Sequence, residues 1–201
     1  MRLIGLVSSA KVASAALMVD GTVVKEAFSL EQRRHSETLL PLLDEILTQA
    51  GMEPNEADAF AVDIGPGSFT GVRIGTASIN ALAHAFNKPV IGISALEILY
   101  EQAGCPEDAL VLIDGGSGRA YGLRYENGAI SNGPAAGMRE DFTRSMGEGT
   151  VLIEGKDPTA SALLLAAAKR LDQGQEAAYP AYLAPSQAER LYEQRKQEAG
   201  K

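Results

Sequence analysis

Asp20-Gly21 separates two short apolar runs, residues 15–19 and 22–28, and no other pair constrains the fold more. A two-residue hairpin turn needs positive φ at both central residues, which Asp and Gly supply at low cost. The runs therefore read as a β-hairpin. RLIGLV at residues 2–7 precedes them and suits a buried strand, so three antiparallel strands in succession are expected.

An alternating order follows. In residues 35–51, Leu39, Leu42, Leu43, Ile46 and Leu47 fall at helical spacing. Ser36 is the expected N-cap, Pro41 lies near the first turn and Gly51 is a natural stop. Residues 57–64 read as a strand, 70–86 as an Ala-rich helix and 89–93, PVIGI, as a strand. Helices alternating with strands after a three-strand meander are the order of a ribonuclease-H-like fold. The pattern then partly repeats: a helix over 94–103, and strands over 109–114 and 119–125 joined by a hairpin loop at Gly115–Gly118. A turn at Glu126–Gly128, a strand over 151–154, a helix over 159–171 and a charged, helix-prone tail from Ser186 complete it. The expectation is an α/β protein of two lobes, residues 1–98 and 99–201, the second abbreviated and short over 126–150.

Composition narrows the function. With 18 basic against 26 acidic residues, net charge −8, the chain is a poor partner for phosphate backbones, so any nucleic acid is reached through another protein. Cys105 is the one cysteine, which excludes an internal disulfide and a cysteine metal cage; its acidic neighbours make it an incidental thiol. The apolar run at 3–7 is too short for a signal peptide, and no run approaches the roughly 18 residues of a membrane span. The reading is cytoplasmic.

The stretch Asp63–Gly75, DIGPGSFTGVRIG, looks at first like a phosphate loop. It has no Lys for a Walker loop, and Thr70 stands where a dinucleotide fingerprint needs its third glycine. A structural account covers every residue: Gly65-Pro66-Gly67 turn the chain, Ser68 or Thr70 caps the helix and Phe69 folds back as an anchor. Gly71 and Gly75 lie one helical turn apart, and Ala81 and Ala85 repeat the small-residue spacing. Each interior glycine costs about 1 kcal/mol against Ala. Close packing within the lobe and a protein interface stand as equal explanations, with anion binding behind them. His35 and His84 lack metal spacing, His35 being read as a capping residue and His84 as partly buried and structural; no G-x-S-x-G elbow supports a catalytic triad. No catalytic residue and no metal ligand is assigned.

The string Gly65–Gly75 resembles the signature of the TsaB (YeaZ) family. His35 before Leu39-Leu40-Pro41, the 89–94 strand, Ile113-Asp114 with Gly118–Tyr121, Pro180–Leu183 and Gln187–Arg190 extend the likeness over most of the chain. The resemblance implies the two-lobed fold of actin, sugar kinases and heat-shock ATPases, without their chemistry. It implies a scaffold that pairs with the catalytic TsaD subunit and the ATPase TsaE, and forms a homodimer alone. That complex transfers threonylcarbamoyl to the adenosine beside the anticodon of tRNA, so tRNA is met only indirectly. The implied partner face is His35, Leu39, Leu42, Leu43, Gly71, Ile74, Gly75 and Ser78. A vestigial nucleotide cleft is implied at Ser8, Ser9, Asp114, Gly115 and Gly116, with ATP or ADP held at most at a subunit interface. Relatives often carry Asp-Thr at the end of the first strand, where this chain has Val7-Ser8. The alternatives are a stand-alone kinase or ATPase using Ser8, Ser9, Asp114 and the 115–118 loop and, more remotely, a peptidase.

Overall fold

The computed structural model describes residues 1–29, 35–184 and 196. The hairpin forms as the sequence predicts, with Asp20 at φ 48° and Gly21 at 80°. It joins β2 (Ser14–Val19) to β3 (Thr22–Phe28), and β2 pairs antiparallel with β1 (Arg2–Val7). β4 (Ala59–Asp63) lies parallel to β1, and β5 (Val90–Ile93) parallel to β4, in the sheet order β3-β2-β1-β4-β5.

This sheet is covered on both faces, which is why β1 carries no polar side chain from Leu3 to Val7. Ile4 and Leu6 point to one face and pack with Leu39, Ile46 and Ile79. Those come from α1 (His35–Ala50) and α2 (Phe69–Phe86). Leu3 and Val7 point to the other face, against Leu163 and Leu164 of α5 (Ala160–Ala168). Both leucines are fully buried, each worth about 1.5–3 kcal/mol. Gly5 makes the approach possible, since a Cβ there would lie 2.9 Å from Leu164. Ser14 Oγ accepts from Ala160 N at 2.9 Å and Glu26 from Ser161 N at 2.8 Å, which fixes the start of α5 on the hairpin.

The second sheet repeats the first without its fifth strand. β6 (Ala109–Gly116) pairs antiparallel with β7 (Arg119–Glu126), β7 with β8 (Ala129–Met138), and β6 runs parallel to β9 (Val151–Ile153). The two-lobed ribonuclease-H-like fold with an abbreviated second lobe is thus present. α3 (Ala95–Gln102), capped by Ser94, connects the sheets and contains the expected boundary at 98/99. α5 belongs by sequence to the second half but packs on the first sheet.

Several local expectations change. The 126–150 region holds the ten-residue β8 and the short α4 (Arg139–Arg144), whose Phe142 lies against Gly122, where a Cβ would be 2.5 Å from the ring. β6 continues through Gly116, so the turn is Ser117-Gly118, both at positive φ. Ser36 lies inside α1 rather than capping it, with Pro41 in the second turn. α5 stops at Ala168, short of 171. The charged tail from Ser186 and the 187–190 match lie outside the described residues, apart from position 196.

Residues 175–182 form a strap along the open edge of β5. Val90 and Gln175 exchange backbone hydrogen bonds of 2.7 and 2.9 Å. Asn80 donates from Nδ2 to Ala178 O at 2.8 Å and accepts from Ala178 N at 2.9 Å. Ala181 N donates to Ile64 O at 2.9 Å. A bare strand edge is a pairing hazard, and the strap covers part of it.

Candidate functional site

The Gly-Pro loop leaves β4 beside the end of β1. Gly65 has φ 84° and the Gly65–Pro66 bond is cis. Ser68 caps α2, its Oγ accepting from Gly71 N at 3.1 Å. Gly67 presses on the turn after β1: a Cβ there would sit 2.5 Å from Ser9 O, and Ser68 N donates to the same oxygen at 2.8 Å.

Asp63, to which the sequence reading assigned no role, buckles these pieces together. It is fully buried and accepts from Ser8 N (3.2 Å), Ser9 N (2.8 Å) and Gly65 N (2.7 Å). Burial pushes its carboxyl above the ordinary 3.8, while these donors pull it back. The sequence signal was an acidic residue closing an all-apolar strand. Ser8 Oγ is buried without a hydrogen-bond partner among the described residues, and a Cβ on Gly75 would collide with it.

A cleft of about 810 Å3 opens between the lobes, lined by Ser9, Lys11, Gly67, Ser68, Asp114 and Lys156 among others. Of the expected nucleotide residues, Ser9 and Asp114 meet there, whereas Ser8 lies behind the surface and Gly115 and Gly116 are outside the lining. Asp114 Oδ1 accepts from Gly116 N at 2.8 Å, the turn role its sequence allowed. Lys11 and Lys156 went unnoticed because nothing around them forms a motif. The end of the first strand does not suit a magnesium nucleotide, since it carries Val7 and Ser8 in place of a carboxylate, Ser8 faces Gly75, and Asp63 at the end of β4 spends its oxygens on backbone donors. Among the described residues no cluster of three metal-binding side chains occurs.

The helix faces differ from the implied partner face. Leu39, Leu42 and Leu43 are buried in this chain's own core, as are Gly71 and Gly75. Gly75 has no room for a side chain because α2 sits on the end of β1, where a Cβ would meet Ser8. Ile74 and Ser78 are half-buried, and the side chain of His35 lies outside the description. The outward surface is made instead by Leu40, 51% exposed, and Pro41 on α1, with Thr70, Ala77 and Ala81 on α2. His84 is exposed, not partly buried. Among the described residues no helix is long and apolar enough to cross a membrane.

Fold and site together define a two-lobed ribonuclease-H-like protein whose first strand ends in Val7-Ser8, without a carboxylate, and whose neighbouring Asp63 on β4 is engaged in structural contacts. The family model for TsaD, tRNA N6-adenosine threonylcarbamoyltransferase, matches residues 29–147. The chain is 37% identical over 129 residues to the tRNA threonylcarbamoyladenosine biosynthesis protein TsaB of Escherichia coli, covering 63% of this chain and 55% of that one. It is 41% identical over 105 residues to the Haemophilus influenzae TsaB, covering 51% and 43%. The solved structure of YeaZ from Pseudomonas aeruginosa superposes with a TM-score of 0.75 at 27% identity, covering 90% of this chain and 99% of that one. The chain belongs to the TsaB (YeaZ) family. It spans about half the length of the curated relatives it matches.

Proposed function

We propose that the chain is a non-catalytic subunit in the formation of threonylcarbamoyladenosine in tRNA. It docks through the outer faces of α1 and α2 on TsaD, which performs the transfer, and the complex recruits the ATPase TsaE. Alone, the same face pairs two copies. Contact with tRNA falls to the complex, in keeping with the net charge of −8. The observation that carries this reading is the strand end at Ser8 and Asp63. Where a phosphotransferase of this fold needs a carboxylate at the end of its first strand, this chain has Val7-Ser8, and the nearby Asp63 of β4 is engaged by Ser8, Ser9 and Gly65. The exposed Leu40 and Pro41 beside a stripe of Thr70, Ala77 and Ala81 suit close helix packing.

Gly75 is unsuitable for testing the face, because enlarging it strikes Ser8. Ala77→Trp puts bulk on the exposed side instead. The mass of the complex with TsaD, measured in solution, should collapse to separate chains while the variant melts normally. Undiminished pairing removes this face from the proposal.

The cleft supports a second reading. Lys11 and Lys156 face it together with Asp114, as a nucleotide-binding protein acting alone would require. Tight ATP·Mg binding by the isolated chain, with turnover lost in Asp114→Ala, favours that reading over the first.

A further inference from the structure

Arg73 lies one turn after Phe69 on α2, and the strap brings Tyr182 to the same place. The guanidinium carbon sits 4.2 Å from the centre of the Phe69 ring and 5.6 Å from that of Tyr182. The two rings stack with centres 4.6 Å apart. Arg73 Nε donates to Tyr182 Oη at 2.8 Å. Tyr182 is in turn held by the bonds of Ala178 to Asn80 and of Ala181 to Ile64.

Such a clamp fixes a side chain that ordinarily loses much rotamer freedom on binding. The group it fixes carries a charge that no carboxylate among the described residues pairs. Arg2, Arg124, Arg139 and Arg170 each pair with a carboxylate, in that order Glu56, Glu126, Glu154 and Glu97. Arg73 is exposed and makes no ion pair among the described residues, in a chain with 26 acidic residues. Tyr182 uses Nε, leaving the two terminal nitrogens without a partner among the described residues, and a guanidinium grips carboxylates in two-point fashion. Its position is also specific: Thr70 and Ala77 flank Arg73 at i−3 and i+4, so it borders the outer face of α2.

We infer that Arg73 is the charged anchor of the docking face, gripping a carboxylate of the subunit that packs on α2, with the strap as its support. This rests on the docking reading above. A protein carboxylate is favoured over a nucleic-acid phosphate because a surface of net charge −8 repels a polyanion.

The test is calorimetric titration of the whole chain into TsaD at low and high salt, using Arg73→Gln, Arg73→Lys, Tyr182→Ala and Ala77→Trp. Arg144→Gln serves as the control, an exposed arginine on α4 of the other lobe. Arg73→Gln should weaken binding about tenfold or more and flatten its salt dependence. Arg73→Lys should recover only part of the loss, Tyr182→Ala should lie between, and Arg144→Gln should match the parent chain. If Ala77→Trp abolishes pairing while Arg73→Gln binds normally, the anchor is wrong and the docking face stands. If both bind normally, the docking face fails and the anchor with it. If Arg73→Gln keeps its affinity for TsaD but the complex loses tRNA, the anchor meets phosphate and the carboxylate assignment is overturned.

Discussion

Replacing Gly75 by Ala tests whether α2 rests on the end of β1 as tightly as the geometry requires. The new methyl would strike Ser8 Oγ, with Ser8 Cβ at 3.2 Å and Val62 Cγ2 at 3.8 Å behind it. Ser8 is fully buried, so its hydroxyl has little room to turn. Overpacking of this kind costs about 1–3 kcal/mol, and the closeness of the collision places it near the upper figure. Exchange of Gly for Ala inside a helix returns about 1 kcal/mol. The balance is a loss of about 2 kcal/mol. In a chain of this size each kcal/mol moves Tm by about 2–4 °C, so a fall of about 4–8 °C is expected. Ser8→Ala removes a buried hydroxyl that has no partner among the described residues and should be neutral or stabilising. With that change in place, Gly75→Ala should recover most of its cost, leaving only the contact with the Ser8 position's Cβ. Urea denaturation of the parent, both singles and the double closes the cycle. A Gly75→Ala single that is as stable as the parent refutes the close contact, and with it the assignment of Gly75 to internal packing.

Two further outcomes follow from the same elements. Asp63→Asn puts an amide nitrogen against backbone donors and should cost about 1–3 kcal/mol in urea denaturation. Because burial raises the Asp63 carboxyl above 3.8, the folded state holds this proton more tightly than the unfolded one. Its favourable contribution is complete below the unfolded value and is lost as pH rises through the folded one, so stability profiles of parent and Asp63→Asn should diverge over that interval. Asn80→Ala removes both bonds to Ala178, and hydrogen exchange should accelerate across 175–182 while the β1 and β4 amides stay protected.

The sequence made the meander and the alternation of strands and helices legible because each element carries its own local pattern. Asp20-Gly21 turns a hairpin by its own backbone preferences, and a strand buried on both faces must be apolar throughout. β8 carried no such mark. AISNGPAAGM is exposed along most of its length and is held by backbone pairing to β7, so no alternation distinguishes it from a loop. The strap was illegible for a similar reason, its attachments being backbone groups and one side chain, Asn80, nearly a hundred positions away. The partner of α5 was likewise hidden, since an apolar LLLAAA run says that a helix is buried without saying against which sheet.

The small residues of α2 show where sequence reading of the site stopped. Spacing alone treats the Gly71/Gly75 and Ala81/Ala85 pairs as alike, but glycine and alanine answer different demands. A glycine inside a helix costs about 1 kcal/mol relative to alanine, so it persists where even a methyl is excluded. At Gly75 that place is the buried contact with Ser8. On the outward side, Ala77 and Ala81 meet solvent and helix propensity decides, so alanine suffices. An exposed stripe of alanines admits a close neighbour and excludes nothing, so it supplies approach without selectivity. Selectivity has to come from a directional group at the edge of the stripe. Arg73 is such a group, held by residues 69 and 182 that are far apart in sequence and meet only through the strap.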